Sequence, residues 1–459
     1  MPIGRRLLAL FACLGLLAAA CGDDSDVDAT EGDTSTTTVD GSGTTTTAAP
    51  GGASDEPEIE LTDSFRGVTA DTITLGYTAI DFELLNNTFN LDLAFVGNGP
   101  IADAIVAMYN ERGGVLGREI ELIHESYLPV GPTSADEVCV KLTEDVDVFA
   151  VLGGFAGPGA GDVNECFPEL HDTIVIGAAP RSDQAERAGG LWVSTDMSLD
   201  RRNEAIATLM SDAGVLDELG SIMVIGSNED EAPLVDVMAD ALRDVGVDVP
   251  FTDFVTTTGD RFATANNVGI WIEQARNAGL STIVLLGEGE FRNQEFFMQA
   301  PDFTYILGNG DAITDWQSIT PEGLQPGTRI ITNNNGPDVG AFDDPDLVDC
   351  ITAVEEALDV EVLATSQLPE GEPNYFSGSV GVCRTVSLFV QIATAAGPDL
   401  TNESWVAALD NLSDLDIPGY QFASLSSDKV DARDQLVLVE YNLETMTFDP
   451  ISEPIDVGR

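Results

Sequence analysis

The segment Val148-Phe-Ala-Val-Leu-Gly-Gly-Phe-Ala-Gly-Pro-Gly-Ala-Gly161 is the one around which the rest of the chain is predicted to be organised. Its five apolar residues, 148–152, are typical of a short buried strand in a parallel sheet. Gly153-Gly154 ends the strand, because a chain that turns this sharply needs backbone angles that only glycine adopts at little cost. Pro158 fits the first turn of a helix that would run to about Phe167. The stretch therefore predicts a strand, a glycine turn and a helix.

Such a turn can bind a ligand. Several backbone N–H groups would point outward at the positive end of a helix dipole, where they can hold a carboxylate, a phosphate or a polar head group. The alternative is that the glycines only allow a helix to pack closely on the sheet.

The chain begins like an exported protein. Arg5 and Arg6 precede the apolar run 7–20, a pattern typical of a signal peptide. The run ends in Leu17-Ala-Ala-Ala-Cys21-Gly22, which resembles the lipobox of bacterial lipoproteins. We expect residues 1–20 to be removed, and a lipid on Cys21 to anchor the protein outside the cytoplasm, in the periplasm or on the outer face of the cytoplasmic membrane. The alternative is an ordinary signal peptide cut near Cys21.

An acidic, Thr- and Gly-rich segment follows the expected lipid site. Residues 22–63 contain no Lys, Arg or aromatic residue, so they cannot bury enough apolar surface to offset the entropy of ordering. We therefore expect residues 21–65 to be a disordered linker. No later stretch is expected to span a membrane.

The charge of the chain is strongly negative. The formal net charge is −60, and removal of residues 1–20 with their two arginines takes it to −62. This balance excludes binding to nucleic acid and charge-driven docking on anionic lipid. It is compatible with a saline habitat, where salt screens self-repulsion, or with a cationic partner.

Four cysteines remain after the leader and the lipid site: Cys139, Cys166, Cys350 and Cys383. Four cysteines permit three pairings, and their order favours Cys139–Cys166 and Cys350–Cys383. In an oxidising compartment disulfides are expected rather than metal ligands. The chain has only two histidines, neither in a Cys/His cluster along the sequence, so no zinc or other metal site is predicted.

From Thr72 onward, strand patterns alternate with helix patterns, which predicts an α/β fold with open, mostly parallel sheets. Ser134 and Glu137 predict a capping box that begins one of the helices. The predicted strands are 73–78, 119–124, 148–152, 173–179, 221–226, 251–255, 281–286, 304–307, 329–332 and 436–441. The predicted helices are 101–112, 134–142, 201–212, 233–245, 262–278, 343–358, 377–396 and 402–412.

Tyr109-Asn-Glu-Arg-Gly-Gly-Val-Leu-Gly-Arg-Glu-Ile-Glu-Leu122 is similar to a conserved segment of the type I periplasmic binding proteins, the leucine/isoleucine/valine receptors of ABC importers. The glycine turn, the strand before Pro180 and Asn374-Tyr375-Phe376 follow in the order of that family, and the resemblance covers about residues 66–450. It implies two Rossmann-like lobes joined by a multi-strand hinge. Lobe 1 would comprise residues 66–195 and 336–430, and lobe 2 residues 196–335 and 431–459. The Cys139–Cys166 pairing also resembles the first-lobe disulfide of the family.

The resemblance also implies a ligand site. The family holds an amino acid head group on two first-lobe loops, which fall here on Gly154, Phe155 and Ala156 and on Ala179, Pro180 and Arg181. The serine and threonine contacts of the family are absent, so backbone N–H groups and a bidentate contact from Arg181 are expected to hold a carboxylate, or the ligand is not an amino acid. Further cleft candidates are Asp81, Phe82, Asn228, Glu229, Glu288, Asp311 and Tyr375.

These observations predict a lipid-anchored, extracytoplasmic receptor that delivers a small polar solute to the permease of an ABC importer. The solute would be amino acid-like, such as a branched-chain amino acid, or an amide or urea. The chain shows no His-based triad, Gly-x-Ser-x-Gly motif or phosphate-loop lysine, so we expect no enzymatic activity and no cofactor. The alternatives are the ligand-sensing domain of a signalling system and an enzyme on the same two-lobe fold.

Overall fold

The computed structural model describes residues 61–89, 96–157, 159–227, 232–256, 261–287, 290–308, 328–334, 342–364, 367–369, 372–442 and 447–458. The expected signal peptide, the lipid site Cys21 and most of the expected linker lie outside these residues.

Five parallel strands form the first sheet, in the order β2-β1-β3-β4-β5. The glycine-turn strand, β3, lies in the middle, and its buried apolar residues fit a strand covered on both faces. The strands are β1 (Thr72–Ile80), β2 (Glu119–Tyr127), β3 (Ala150–Gly153), β4 (Ile174–Gly177) and β5 (Trp192–Ser194).

The second sheet is larger and mixed. Its order is β12-β11-β10-β9-β8-β6-β7, and β13 also pairs with β11. Strands β6 to β10 are mutually parallel, whereas β11, from the end of the chain, pairs antiparallel with β10. The strands are β6 (Ile222–Gly226), β7 (Phe251–Phe254), β8 (Thr282–Leu286), β9 (Thr304–Leu307), β10 (Arg329–Asn334), β11 (Gln435–Asn442), β12 (Thr447–Pro450) and β13 (Ile455–Asp456).

Helices cover the faces of both sheets, which confirms the predicted α/β class. They are α1 (Phe82–Phe89), α2 (Gly99–Glu111), α3 (Thr133–Val140), α4 (Ser182–Ala188), α5 (Leu199–Asp212), α6 (Ala232–Asp244), α7 (Arg261–Ala278), α8 (Glu290–Gln299), α9 (Pro345–Leu358), α10 (Phe376–Ala396) and α11 (Asn402–Leu409). Helices α1, α4 and α8 were not predicted from the sequence. The first two are short, at 8 and 7 residues, so they offer little periodicity.

Two local predictions were wrong. Helix α3 has Pro132 at its N-cap and no side-chain cap, and the Ser134 hydroxyl instead accepts the N–H of Leu128 at 3.0 Å. The predicted capping box is therefore absent. After the glycine turn the chain forms a 3₁₀ segment, Gly161–Glu165, and a π segment, Cys166–Leu170, instead of one α-helix. Pro158 lies outside the described residues.

A group of aromatic rings lies in the largely aliphatic core between the first sheet and the helices α2, α9, α10 and α11. Phe149 contacts Phe389 and Trp405, which stack on each other with ring centroids 5.9 Å apart. Helix α10 is long and apolar enough to cross a membrane, contrary to the expectation from the sequence. It packs in this core against α2, α9 and α11, which accounts for its composition.

Both predicted disulfides are present. Cys139–Cys166 ties α3 to the segment after the glycine turn, and Cys350–Cys383 ties α9 to α10. His171 lies close to the first disulfide, with its ring nitrogen and both sulfurs within 4.8 Å of one another. This corrects the expectation that neither histidine joins a Cys/His cluster. Because both sulfurs are bonded in a disulfide, they are not thiolate ligands for a metal.

Arg118, the last residue of the Gly-Gly-Val-Leu-Gly-Arg motif, holds the segment before β1 in place by hydrogen bonds. Its side chain is fully buried. Its guanidinium donates to the carbonyls of Thr69 at 2.7 Å, Thr62 at 2.9 Å and Pro398 at 2.9 Å. The motif therefore has a structural role in this chain.

Arg118→Met is expected to lower the free energy of unfolding by about 2–3 kcal/mol, because it leaves three carbonyls without their charged donor. Urea unfolding followed by circular dichroism measures this change. The matched control is Arg112→Met, which breaks a half-exposed ion pair with Asp349 and should cost less than about 0.5 kcal/mol. Equal effects of the two changes would contradict the structural role of Arg118.

Candidate functional site

Three loops meet at the carboxyl edge of the first sheet. Strands β1, β3 and β4 are neighbours, and Gly153 lies beside Gly177 in the register. The Thr78 hydroxyl at the end of β1 donates to the carbonyl of Gly154 at 2.5 Å. The loops after these strands carry the predicted first-lobe contacts, so the structure brings Asp81, Gly154 and Ala179 to one edge, where ligands of open α/β sheets bind.

Two backbone donors of the glycine turn are already used inside the protein. Phe155 N–H donates to Asn164 Oδ1 at 2.7 Å, and the Asn164 side-chain amide donates back to Phe155 O at 2.8 Å. Ala156 N–H donates to the Tyr127 hydroxyl at 2.7 Å. These two N–H groups are therefore not free for a ligand carboxylate in this conformation. Sequence reasoning did not single out Tyr127 or Asn164.

The side chain of Phe155 belongs to the core and does not line an open cleft. It is 1% exposed, stacks on Phe167 at 5.3 Å between ring centroids and meets Tyr127 edge-on at 5.0 Å. Gly154 has φ of +66°, and a Cβ there would lie 2.6 Å from Asn164 Oδ1. The glycine is needed for this close approach.

The remaining first-lobe candidates have local partners. Asp81 Oδ1 accepts the N–H of Leu84 and caps α1, and Phe82 is half-buried. Pro180 is buried, whereas Arg181 is exposed and its Nε lies 3.4 Å from Asp183 Oδ1. The Arg181 guanidinium thus has an ion pair of its own, which an incoming carboxylate would have to displace.

The other candidates are less defined. Tyr375 is the N-cap of α10, and its carbonyl accepts the N–H and hydroxyl of Ser379. Asn228, Glu229, Glu288 and Asp311 lie outside the described residues. They follow β6, β8 and β9 in sequence, and these strands are parallel neighbours whose carboxyl ends lie at one edge of the second sheet. Their contact with a ligand stays a prediction.

Burial of Tyr127 gives the glycine turn a pH dependence. Burial raises the pKa of its hydroxyl to about 12, although the N–H of Ala156 opposes the shift. Below pH 10 this tyrosine is protonated in both the folded and the unfolded chain. Between pH 10 and 12 the unfolded chain loses the proton first, so the free energy of unfolding falls.

Tyr127→Phe is expected to cost about 1 kcal/mol at pH 7, because Ala156 loses its acceptor. Between pH 10 and 12 the variant should also lose less stability than the wild type, because it lacks one tyrosine whose pKa differs between the folded and the unfolded chain. Urea unfolding at pH 7, 9, 10 and 11 on both proteins measures the difference. An unchanged slope above pH 10 would show that this hydroxyl titrates normally.

Large apolar side chains are exposed in segments that follow strands of both sheets. Examples are Leu84 at 46%, Val130 at 39% and Phe262 at 85%. Exposed apolar area costs about 25 cal/mol per Å² relative to burial. The carboxyl edges therefore offer apolar surface that a bound molecule or the opposite lobe can cover.

Two of the described segments that connect the sheets, one after β5 and one before β11, lie near these edges. Ser194, the last residue of β5, pairs in parallel with Asp431, and Asp431 also accepts the N–H of Ser198. Arg201 and Lys429 form ion pairs with the buried carboxylates of Asp431 and Asp434. The charges of the two cations and the two carboxylates in this set cancel.

A second charged group lies beside this set. The Tyr420 hydroxyl donates to Asp196 Oδ1 at 3.1 Å. The Arg384 and Arg433 guanidiniums lie 4.3 Å and 5.7 Å from the centroid of the Tyr420 ring, within the range of cation–π attraction. Although burial opposes it, the fields of Arg433, Arg202 and Arg384 lower the pKa of Asp196. We call Asp196, Arg202, Arg384, Tyr420 and Arg433 the Tyr420 cluster.

No protein-family model matches the sequence, and no curated protein matches it. Solved structures do resemble the chain. A periplasmic binding protein type 1 from Bordetella pertussis superposes with a TM-score of 0.58 at 16% identity, over 84% of this chain and 100% of that one. The chain has the type I periplasmic binding protein fold.

Other structures with this fold have bound ligands. An ABC transporter substrate-binding protein from Desulfitobacterium hafniense in complex with Leu has a TM-score of 0.56 at 14% identity, over 83% of this chain and 100% of that one. A solute binding protein from Rhodopseudomonas palustris HaA2 in complex with p-hydroxybenzoic acid has a TM-score of 0.58 at 13% identity, over 84% and 98%. At these identities the likeness concerns the fold.

Proposed function

We propose that this protein is an extracytoplasmic solute receptor that binds a small organic solute between two lobes and delivers it to the permease of an ABC importer. Lobe 1 comprises residues 66–195 and 336–430, and lobe 2 residues 196–335 and 431–459. A lipid on Cys21 holds the receptor to the membrane. The ligand stabilises a closed form by contacting both lobes.

One observation carries the proposal. Each of the two sheets has neighbouring parallel strands whose carboxyl ends lie at one edge. The sheets are joined by crossover segments, two of which pair at the Ser194–Asp431 bridge. Loop edges of this kind are where open α/β sheets bind ligands. The structures that share the fold support it, since they are transporter solute-binding proteins that hold Leu and p-hydroxybenzoic acid.

A thermal-shift screen of the mature protein tests this function. The panel contains amino acids, amides, urea, short organic acids and aromatic acids, each at 1 mM and constant ionic strength. One chemical class is expected to raise the melting temperature by several degrees, since saturating ligand adds binding energy to the folded state. The stabilising compound should be recovered unchanged after incubation. Its consumption would favour an enzyme, and a flat screen would contradict the receptor.

The lipid anchor is tested separately. The wild-type protein expressed with its leader should appear in the membrane fraction, and Cys21→Ala should move it to the soluble exported fraction. Equal partition of both proteins would contradict the anchor without affecting the solute-binding proposal.

A further inference from the structure

The Tyr420 cluster carries uncompensated positive charge. Three guanidinium groups face one carboxylate, Asp196, so two positive charges have no partner. This occurs in a chain with 79 acidic and only 19 basic residues. Acidic side chains are abundant, yet no described carboxylate lies within ion-pair distance of Arg202, Arg384 or Arg433.

Most of the other described arginines do have such a partner, although Arg118 donates to backbone carbonyls instead. Eight described arginines have a carboxylate oxygen within 4.0 Å: Arg66, Arg112, Arg181, Arg187, Arg201, Arg243, Arg276 and Arg329. Next to the cluster, Arg201 and Lys429 are fully matched by Asp431 and Asp434. The structure thus matches the two cations of one set with two carboxylates, whereas the three guanidiniums beside it share one carboxylate.

Buried donors in the cluster also lack partners. Arg433 is 3% exposed. Its Nε donates to the carbonyl of Gln435 at 2.9 Å, but its Nη2 has no hydrogen-bond partner. The buried Nε of Arg202 has none either. An unpaired buried donor on a charged group is costly. Arg66 Nε and Arg118 Nη1 are unpaired as well, but the cluster brings two such guanidiniums close enough to interact with each other.

The cluster lies where the proposed ligand site requires it. Asp196 follows the carboxyl end of β5 by two residues and is exposed, while Arg202, Arg384 and Tyr420 are half-buried. The group is therefore accessible from solvent on one side and backed by buried Arg433 on the other. Arg384 is fixed by donating to the carbonyl of Pro418 at 2.9 Å, and stacking on Tyr420 orients its guanidinium.

We propose that Arg202, Arg384 and Arg433 form an anion subsite that binds the carboxylate of the transported solute. This inference rests on the proposed function and gives its substrate class: a small organic acid. The planar guanidinium matches the two oxygens of a carboxylate, and it holds its charge when buried. Asp196 keeps the subsite partly neutralised while it is empty, and it opposes the incoming anion.

Isothermal titration tests the subsite with acetate, isovalerate and benzoate and with their neutral amides, at pH 7.5 and fixed ionic strength. Carboxylates are expected to bind at least ten-fold more tightly than their amides. Arg384→Gln and Arg202→Gln should each weaken carboxylate binding at least ten-fold, and so should Arg433→Gln if it folds. Arg243→Gln, in an exposed pair with Asp240, removes the same charge elsewhere and should leave binding unchanged.

Asp196→Asn is expected to change the affinity for carboxylates in the direction opposite to the arginine changes. Because it removes the only carboxylate of the cluster, it should tighten the binding of acetate, isovalerate or benzoate several-fold. Amides that bind as tightly as the acids, or arginine variants that bind the acids like wild type, would overturn the inference. Binding of sulfate or chloride with the same arginine dependence, and no binding of organic acids, would also overturn it by assigning the subsite to inorganic anions.

The proposed function and the subsite fail differently. If a neutral or cationic solute raises the melting temperature and the three arginine changes do not alter its binding, the receptor function is supported and the anion subsite is contradicted. No stabilisation by any solute in either experiment would remove both.

Discussion

Replacement of Phe155 by aspartate is expected to lower the free energy of unfolding by more than about 5 kcal/mol, and so to unfold the first lobe. Removing a buried phenylalanine costs about 3–5 kcal/mol, and an unpaired carboxylate in its place adds desolvation. The ring is 1% exposed and packs on Tyr127 and Phe167. Soluble yield and urea unfolding of Phe155→Asp beside wild type measure the effect.

Phe155→Leu is the matched control. It keeps an apolar side chain and should cost about 1–1.5 kcal/mol. A Phe155→Asp protein that stays as stable as wild type but no longer responds to the stabilising solute would place this residue on the cleft wall. That result would restore the contact expected from the sequence and contradict the buried position.

Removal of the Cys350–Cys383 disulfide has the second large expected effect. The double change Cys350→Ala and Cys383→Ala opens a loop with a sequence separation of 33 residues, and the loop-entropy relation gives a loss of about 3–4 kcal/mol. The bond joins α9 to α10 inside the main core, so truncation of the side chains adds to the loss. Urea unfolding midpoints measure it.

Reduction provides the control for the disulfide prediction. Dithiothreitol should lower the stability of wild type, and its effect on the double variant should be smaller because only Cys139–Cys166 remains. If the reductant affects both proteins equally, the Cys350–Cys383 bond does not form in solution.

The sequence predicts this fold well because its signals are local. Apolar runs bounded by glycine located β1, β3, β6 and β8 to within a few residues. The order of the cysteines indicated both disulfides, since each pair is close along the chain, with separations of 27 and 33 residues. The short helix α4 was missed because 7 residues carry too little periodicity to reveal an apolar face.

The site was harder to predict because its contacts are distant in sequence. Glycines in the turn indicated a ligand-binding loop, but the acceptors that use its N–H groups, Asn164 and Tyr127, are ordinary residues in a 3₁₀ segment and at the end of a strand. The hydrogen bond between Tyr420 and Asp196 joins residues that are 224 positions apart in the sequence. Arginines scattered over three parts of an acidic chain give no local pattern, and only the fold brings Arg202, Arg384 and Arg433 together.

A bound solute is expected to close the two proposed lobes on each other. Spin labels at Glu83→Cys, after the carboxyl end of β1, and Asn266→Cys, near the start of α7, are both exposed and lie on different lobes. Pulsed electron resonance then reports the distance between them. With the solute that raises the melting temperature, the distance distribution should shift to one shorter, narrower peak. An unchanged distribution at saturating solute would contradict the account.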